Sequence, residues 1–473
     1  MDLSNYLLMK QEISLLVVFL ILIVYDLFAP EKSKRYSQPL ACVLFLAHTV
    51  LGFLPAATGT SFSGMYISNP AEVAMKNILN IGVLLVFLQS NGWLSKAEAS
   101  FKRGEFYSLT LLTLFGMYLM ISSGNFILFY IGLETASLPM ASMVAFDKYK
   151  NNSAEAGAKY IFNAVFSSSI LLFGLSFLYG AMGSLYFDDI AANIQASPLV
   201  IMSMVFFAVG LFFKISLVPF HFWTADVYQG APTTVTAYLS TISKGAAVFA
   251  LMAILYKTFG NLVVEWQSIL WWIVLITITL GNLFAMRQTN LKRFLAFSSV
   301  SQAGYIILSV LAGSPQGMAS TMYYILVYIF SNMAAFGVIS AVENQTGKVD
   351  MSDYNGLYKT NPKLALIMMI ALFSLGGIPP TAGFFSKFFV FVAAAEQGQY
   401  LLVMFALINT VISLYYYLLV IKAMFITPND SPIAYFKSDS YMKVSLVACF
   451  AGIMLVGVVS GIYQYLSTVG FGI

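Results

Sequence analysis

Long apolar segments follow one another along almost the whole chain and leave little material for a soluble domain. Of the 473 residues, 59% are hydrophobic and only 9% are charged, whereas soluble domains contain about 45–50% apolar residues. A membrane-spanning helix needs about 20 mostly apolar residues. The sequence therefore predicts an all-α polytopic membrane protein with about fourteen transmembrane helices, at residues 12–28, 40–55, 73–90, 106–122, 125–145, 154–180, 197–228, 232–257, 265–285, 291–311, 317–342, 362–397, 400–426 and 442–468.

Cysteine and histidine are too few and too far apart to indicate a redox centre. Cys42 and Cys449 are isolated, and His48 and His221 are the only histidines. The sequence has no CxxC pair, no cluster-ligating run and no glycine-rich dinucleotide motif after a strand. Haem ligation by the two histidines would have to join distant segments without a supporting pattern. We therefore expect no cofactor on this chain and no nucleic acid among its partners.

The placement of the 24 lysine and arginine residues predicts the orientation of the helices. Loops after odd-numbered spans contain sixteen of them, whereas the N-terminal tail and the loops after even-numbered spans contain only Lys10 and Lys257. By the positive-inside rule the odd loops lie in the cytoplasm, so both termini are predicted to be periplasmic in a bacterium. The sixteen residues are Lys32, Lys34, Arg35, Lys96, Lys102, Arg103, Lys148, Lys150, Arg287, Lys292, Arg293, Lys348, Lys359, Lys363, Lys437 and Lys443.

Two spans are too long for one straight helix. At 1.5 Å per residue, 197–228 would extend about 48 Å and 362–397 about 54 Å, whereas the hydrocarbon core is about 30 Å thick. Pro219 interrupts the first span, and a Gly-Gly-Ile-Pro-Pro run at 376–380 interrupts the second. Proline removes a backbone donor and clashes with the preceding turn, so we predict broken helices at both places.

The broken helices are spans seven and twelve, which lie five spans apart. Five passes reverse the direction of the chain, so spans four to eight and nine to thirteen predict two inverted five-helix repeats, as in many transporters. The predicted division is an N-terminal part of three helices at 1–105, repeats at 106–257 and 258–426, and a C-terminal helix at 427–473.

Four ionisable residues lie near the middle of apolar spans, namely Glu134, Lys214, Lys244 and Lys387. A charge at the centre of a bilayer costs roughly 2.5–3.5 kcal/mol even on the lenient insertion scale. A chain with so few charges is expected to use those that it places there. The pattern predicts stations that move protons or other cations across a membrane.

Glu134 and Lys214 are each followed five residues later by a proline, Pro139 and Pro219. Each proline leaves one backbone carbonyl without its helical donor, so an acid and a base would lie beside opened turns. Burial favours the neutral forms of both groups and pairing favours the charged forms. Such a pair is suited to exchanging a proton when a nearby charge moves. The alternative is a static salt bridge that joins two helices.

Lys244 lies among hydroxyl residues without a carboxylate partner, and Lys387 takes the analogous place after the second break. A proton carrier must be able to lose its charge, which such a lysine can do. The alternative for both is snorkelling, in which the ammonium reaches toward the membrane surface. Snorkelling is also the expected role of Lys76, Lys159 and Lys422, which lie near the ends of their spans.

Two further groups of polar residues are candidates for a supporting path. Span ten carries a stripe at helical spacing that either holds water between Lys244 and Lys387 or joins helices by hydrogen bonds. Beyond Pro219, two residues toward the cytoplasmic side of span seven either admit protons or are ordinary interfacial polar groups. The stripe consists of Ser298, Ser301 or Gln302, and Tyr305, and the second group consists of His221 and Asp226.

Four stretches resemble one family closely. They are GLETASLP at 132–139, KISLVPFHFWTADVYQGAP at 214–232, QTNLKRFLAFSSVS at 288–301 and LGGIPPTAGFFSKF at 375–388. The chain resembles, over essentially its whole length, the antiporter-like membrane subunits of respiratory complex I, the NADH:quinone oxidoreductase. The resemblance is most specific in the second stretch.

Within that family the resemblance is to the N class of subunits. L-type chains carry a long lateral helix after span fourteen, for which the residues after the last span leave no room. M-type chains typically have a glutamate at the position of Lys387. Mrp-type antiporter subunits lack the YQGAP sequence that this chain has at 228–232.

The resemblance implies a role for each of the four buried residues. Glu134 and Lys214 become the coupling pair, Lys244 the central proton carrier and Lys387 the terminal one. Gln302 stands where many relatives have histidine, so transfer from Lys244 to Lys387 is expected to pass through water.

The resemblance also implies a proton-translocating subunit of NADH:quinone oxidoreductase in a bacterial inner membrane. The alternative location is an organellar membrane. NAD, FMN, iron–sulfur clusters and quinone would be bound by partner subunits. The expected partners are other complex I membrane subunits, including antiporter-like neighbours, and membrane lipid. The alternatives are an Mrp-type cation/proton antiporter subunit and a membrane scaffold without transport activity.

Overall fold

The structure is a computed structural model that describes residues 4–30 and 33–469. Lys32, which contributes to the predicted orientation, lies outside the described residues. Nearly all of the described chain is helical, and the one sheet is a two-stranded hairpin.

The N-terminal part contains three long helices and the hairpin. Its last helix begins with Pro70 in the first position, and Asn69 and Glu72 cap it reciprocally, the pattern expected at a helix start. In the antiparallel hairpin Gly59 faces Ser68. The elements are α1 (Ser4–Leu8), α2 (Lys10–Phe28), a 3₁₀ turn (Lys34–Tyr36), α3 (Ser37–Gly52), β1 (Gly59–Ser61), β2 (Tyr66–Ser68) and α4 (Pro70–Leu94).

The next part of the chain contains the first predicted broken helix and a helix with a π turn in its middle. Its elements are a 3₁₀ turn (Ser100–Lys102), α5 (Arg103–Ile121), α6 (Phe126–Val144), α7 (Asn151–Met182), α8 (Phe187–Asn193), α9 (Pro198–Ile215), α10 (Phe222–Gly230), α11 (Thr233–Tyr238), the π turn (Leu239–Ser243) and α12 (Lys244–Lys257).

The remaining part contains the second predicted broken helix. Its elements are a 3₁₀ turn (Gly260–Leu262), α13 (Val263–Ala285), α14 (Leu291–Leu311), α15 (Pro315–Thr346), a 3₁₀ turn (Met351–Tyr354), α16 (Leu357–Thr360), α17 (Pro362–Gly376), α18 (Ala382–Glu396), α19 (Tyr400–Phe425), α20 (Ser440–Val458) and α21 (Ser460–Thr468).

Twelve helical segments of the described chain are long and apolar enough to cross a membrane. They correspond to all predicted spans except the second and the twelfth. The second is α3, which has 16 residues, and the twelfth is divided between α17 and α18, which have 15 residues each. The all-α polytopic class is therefore confirmed, while the count of fourteen crossings stays a prediction.

Both predicted helix breaks are present, and they have the same local structure. After α9, Ser216 has a left-handed backbone (φ 67°), and the next N–H bonds back to the carbonyl of Phe212 at 2.9 Å. After α17, Gly377 (φ 84°) is followed by the equivalent bond to Phe373, also at 2.9 Å. These are the bonds of a Schellman helix end. A cis X–Pro bond follows each turn at the same distance along the chain.

Three helical segments form the centre of the molecule and are almost completely buried. The first consists of α11, the π turn and α12, the second is α14, and the third is α15. Close glycine contacts join other helices around this centre. A Cβ added at Gly116 of α5 would lie 2.7 Å from the carbonyl oxygen of Gly132 in α6, and one added at Gly281 of α13 would lie 2.7 Å from the backbone nitrogen of Ser301 in α14. Small residues allow such close backbone approach in membranes.

We expect Gly383→Ala to destabilise the second broken helix. A Cβ at this position would lie 1.7 Å from the carbonyl oxygen of Ser374, so α18 would have to move away from α17. Overpacking of this kind costs about 1–3 kcal/mol or more. The measurement is the thermal stability of the detergent-extracted protein. Gly180→Ala is the control, because nothing lies within 4 Å of the added group. Equal stability of the two variants would contradict this packing.

Candidate functional site

Lys214 and Glu134 lie on neighbouring helices but do not form a direct ion pair. Lys214 is in the last turn of α9, and its Nζ donates a hydrogen bond to Ser137 Oγ at 2.5 Å. Glu134 lies one turn before Ser137 on α6 and interacts electrostatically with Lys214. Among the described residues, no ion pair of 4.0 Å or less joins the two side chains. Ser137 is therefore the residue that holds the ammonium beside the carboxylate.

Lys244 lies directly after the π turn of the eighth predicted span and is 4% exposed. Its Nζ donates a hydrogen bond to Ser299 Oγ at 2.8 Å and lies 5.5 Å from the ring centroid of Tyr228. The Ser299 hydroxyl donates to the carbonyl of Ala296 at 2.7 Å, which leaves its lone pairs free for the lysine. π turns often occur at functional sites, and this one positions an amine in the centre of the molecule.

Lys387 lies in α18, the second half of the second broken helix, and binds the end of α17, the first half. Its Nζ donates a hydrogen bond to the carbonyl of Gly376 at 3.2 Å and lies 4.9 Å from the ring centroid of Tyr305. Gly376 is the last residue of α17, where carbonyl groups lack helical donors. A Cβ at Gly377 would lie 3.0 Å from the Cδ of Lys387. The glycine therefore leaves room for the lysine stem to pass.

Gln302 joins α14 to three other helices between the two lysine sites. Its Nε2 donates to the carbonyl of Leu375 at 3.1 Å and to the hydroxyl of Tyr417 at 3.2 Å, and its Oε1 accepts from Tyr324 at 2.5 Å. Ser298 shares a hydrogen bond of 2.6 Å with Tyr417. Leu375 directly precedes Gly376, whose carbonyl binds Lys387. This group of polar side chains therefore reaches the site of Lys387.

Other members of the predicted stripe have different surroundings. Tyr305 faces Lys387 with its ring, and its hydroxyl bonds to Thr410 at 3.3 Å. Ser301 Oγ is one of several buried polar atoms that have no protein partner within the described chain, as are Ser243 Oγ and the hydroxyl of Tyr228. Buried polar groups are normally satisfied by protein or ordered water. These atoms are therefore positions where water is expected to bind.

His221 and Asp226 have different environments although both follow the first break. His221 is 2% exposed, and its ring stacks on Phe284 with centroids 6.0 Å apart. Asp226 instead lines a surface cavity of about 270 Å³ and pairs with Lys159 and Arg293, each at 2.6 Å. His221 thus belongs to the buried interior near Lys244, with which it interacts electrostatically. Asp226 belongs to an ion-pair network at the surface.

The interpretation of Lys76 as a snorkelling residue is wrong. Its side chain is 1% exposed, and its Nζ lies 2.5 Å from Glu12 Oε1 and 2.6 Å from Ser122 Oγ. The ring of Tyr66 lies 5.4 Å away. The error arose because Glu12 belongs to α2, and the sequence does not show that α2 packs beside α4. Lys422, by contrast, is exposed at the end of α19, as expected.

Sequence reasoning also missed the residue that binds Lys244. Ser299 is adjacent to Ser298 and therefore faces about 100° away from the predicted stripe. A stripe implies one polar face, but α14 is buried on all sides, so polar residues on several faces contact protein. The useful signal was the dense run of serines at 298, 299 and 301 in a segment with no exposed face.

The arrangement offers protonation and hydrogen-bonding chemistry. In residues 4–30 and 33–469, no group of three or more His, Cys, Asp and Glu side chains is placed to hold a metal ion. Cys42 and Cys449 are both buried and unpaired. The titratable groups of the candidate site are Glu134, Lys214, Lys244, Lys387 and His221, and hydroxyl, amide and carbonyl groups surround them.

The chain is similar to known membrane subunits over its full length. Residues 123–413 match the profile of a family described as "NADH:quinone oxidoreductase/Mrp antiporter, TM". A curated relative from Phocaeicola vulgatus, named NADH-quinone oxidoreductase subunit N, is 58% identical over 468 residues, which cover 99% of each chain.

Solved structures show the same similarity in three dimensions. A chain of respiratory complex I from Thermus thermophilus with bound aureothin superimposes with a TM-score of 0.80 at 29% identity, covering 97% of this chain and 100% of that chain. A chain of the Mrp complex from Dietzia sp. superimposes with a TM-score of 0.86 at 20% identity, covering 99% of this chain and 96% of that chain. The second similarity establishes a common fold alone.

Proposed function

Because the chain belongs to the family of NADH:quinone oxidoreductase and Mrp antiporter membrane subunits, we propose that it translocates protons as the N-type subunit of an NADH:quinone oxidoreductase. The identity of 58% to a subunit N relative over nearly the full length supports the N class. Electron transfer then takes place on partner subunits, which would bind NAD, FMN, iron–sulfur clusters and quinone. This chain would contribute the proton path.

One observation carries the proposal of a lysine relay. Lys214, Lys244 and Lys387 are 4–5% exposed, and each ammonium binds a neutral oxygen, from Ser137, Ser299 and Gly376 respectively. Removing a proton from a lysine in a tight ion pair leaves an uncompensated buried carboxylate, which is strongly unfavourable. A lysine bound to a hydroxyl or carbonyl oxygen avoids that penalty. Lys244 and Lys387 are therefore suited to releasing and regaining a proton, whereas Lys214 keeps an electrostatic partner in Glu134.

The proposed order of events follows the positions of these groups. A charge that changes in a neighbouring subunit acts on Glu134 and Lys214, which interact across α6 and α9. The altered field changes the proton affinity of Lys244, and the proton passes toward Lys387. Water bound at the unpartnered hydroxyls, together with Gln302 and Tyr417, would connect the two amines. His221, which lies near Lys244, would take part in proton uptake, whereas Asp226 would act at the surface.

The predicted inverted repeats are part of the proposal. Support comes from the two breaks, which share a left-handed residue and a Schellman bond. The close glycine contacts of α5 with α6 and of α13 with α14 also occupy corresponding places. We propose repeats at 106–257 and 258–426, with 1–105 and 427–473 outside them. With the predicted orientation, both termini face the periplasm and the protein resides in a bacterial inner membrane.

We expect Gln302→Leu to slow proton transport about tenfold while Gln302→His retains most of it. Leucine leaves the hydroxyl of Tyr324 and the carbonyl of Leu375 without the partner that Gln302 supplies, while Tyr417 keeps its bond to Ser298. Each such loss costs about 1–3 kcal/mol. Histidine keeps a donor and an acceptor at the same place. The measurement is NADH-driven proton uptake by membrane vesicles at matched amounts of assembled complex. Transport by Gln302→Leu at the rate of the unmodified complex would show that this connection is unimportant.

The second candidate function is a cation/proton antiporter subunit of the Mrp type. The family description names these antiporters, and the Dietzia chain has the same fold. Proton uptake by inverted vesicles distinguishes the two functions. The proposal expects uptake that requires NADH oxidation and proceeds without sodium. Sodium-dependent exchange in the absence of NADH would favour the antiporter instead.

A further inference from the structure

A groove of about 440 Å³ lies where the first turn of α17, the loop before α20 and the start of α20 meet. It is separate from the buried lysine relay, and one of its rims is basic. Lys363, Lys437 and Lys443 line it, and its lining contains no aspartate or glutamate. In the described part of the chain, no carboxylate lies within 4.0 Å of these three ammonium groups. Three cations around one cavity repel each other unless an anion binds between them.

A buried asparagine holds the two sides of this rim together. Asn361 is 4% exposed, and its Nδ2 donates to the carbonyls of Ile433 and Ala434 at 3.3 and 3.2 Å. Its Oδ1 accepts from the N–H of Phe436 at 3.3 Å. These bonds fix the loop that carries Lys437 against the helix that carries Lys363. The backbone segments that carry Lys363 and Lys437 are therefore fixed relative to each other before any ligand binds.

The same asparagine leaves the start of α17 open to an anion. Asn361 occupies the cap position of α17, but its side chain binds the loop and makes no capping bond to the helix. The first N–H groups of a helix carry a partial positive charge and bind phosphate readily. At this helix end Pro362 has no N–H, so the N–H groups of Lys363 and Leu364 are the ones that remain for an anion. This helix end and the three lysines face one cavity, so the positive charge of the site has two independent sources.

The remaining walls of the groove are largely apolar and include exposed side chains. Leu364 and Leu446 are buried in its floor, whereas Tyr435 is 75% exposed and Val447 is 63% exposed at its edge. Ile367 lies one turn further along α17, and Val447 lies on an exposed face of α20. A phosphate at the rim would therefore have an apolar channel beside it that runs along two helices.

We propose that this groove binds an anionic phospholipid. The phosphate lies among Lys363, Lys437, Lys443 and the start of α17, and an acyl chain lies along Ile367 and Val447. Charge complementarity favours an anionic headgroup, since lysines near a membrane surface attract anionic lipids. The apolar channel favours a lipid over a free anion. Because α17 ends at the carbonyl that binds Lys387, a bound lipid would also steady the helix that serves the terminal amine.

The test is photolabelling of the intact, delipidated complex with phosphatidylglycerol that carries a photoreactive acyl chain. We expect labelled peptides from the groove and about tenfold less labelling with the same photoreactive phosphatidylcholine. The triple variant Lys363→Gln/Lys437→Gln/Lys443→Gln should lose this labelling about tenfold. The control variant Lys148→Gln/Lys348→Gln/Lys359→Gln removes the same charge elsewhere and should keep it. Val447→Trp, which fills the apolar channel, should also reduce labelling if the triple variant fails to assemble.

Three results would overturn the assignment. Equal labelling by the two lipids would remove the role of the lysines. Displacement of the label by millimolar inorganic phosphate would indicate a site for a free anion. Photocrosslinking from the groove to a neighbouring subunit in the untreated complex would show that a protein segment occupies it.

Discussion

Replacing Lys244 by alanine is expected to leave the complex assembled and to reduce NADH-driven proton transport to the level of passive leak. Transfer by a positioned acid–base group contributes about 10²–10⁴ to rate, and alanine removes the amine that would carry the proton at this point of the path. Assembly should survive because Lys244 binds Ser299 and no carboxylate within the described residues. No charged partner is therefore left alone, and Ser299 keeps its bond to Ala296.

The control for this variant is Lys422→Ala, which removes an exposed lysine from another apolar helix. Both variants are compared with the unmodified complex in membrane vesicles, at equal amounts of assembled complex and equal NADH concentration. Lys422→Ala should pump normally. Normal pumping by Lys244→Ala would mean that the central lysine is a structural residue.

The second large effect is expected from Lys76, and it concerns stability. Replacing Lys76 by methionine leaves Glu12 buried and without its partner. Breaking a buried ion pair from one side costs about 3–5 kcal/mol. Glu12 and Lys76 are both 1% exposed at their side chains and lie 2.5 Å apart, so water gives little compensation. We therefore expect Lys76→Met to lower the thermal stability of the extracted complex strongly and to reduce its amount in the membrane.

The double variant Glu12→Gln/Lys76→Met tests whether the loss of stability comes from leaving Glu12 without its partner. Replacing both members of a buried ion pair is often nearly neutral, so the double variant should regain most of the stability that Lys76→Met loses. The two variants are compared by the temperature at which the extracted complex loses activity. A double variant that is as unstable as the single one would show that Lys76 acts through Ser122 or Tyr66 rather than through Glu12.

The features that the sequence predicted well depend on local chemistry. Pro219 and the glycine–proline run at 376–380 interrupt helices because of their own backbone restrictions, and both breaks are present. The burial of Lys244 and Lys387 follows from their places near the middle of long apolar spans, and both side chains are 4% exposed. Properties of this kind need no knowledge of which helices are adjacent.

The features that the sequence did not predict are contacts between distant segments. Lys244 binds a serine 55 residues away, and Lys76 pairs with a glutamate 64 residues away. Nothing in the apolar pattern identifies these partners, because the pattern of a fully buried helix is the same on every face. The place of Glu134 beside Lys214 was anticipated, but the bond from the lysine to Ser137 was not. That bond depends on how α6 faces α9, which only the packed structure reveals.

The most direct test of the lysine relay is the number of protons translocated per NADH oxidised, measured in proteoliposomes with Lys387→Met. Methionine keeps much of the side-chain volume but cannot carry a proton, and Lys422→Met serves as the control. The relay predicts a clearly lower ratio for Lys387→Met than for the control, at comparable rates of NADH oxidation per assembled complex. An unchanged ratio would contradict the relay, because protons would then cross this subunit without the amine of Lys387.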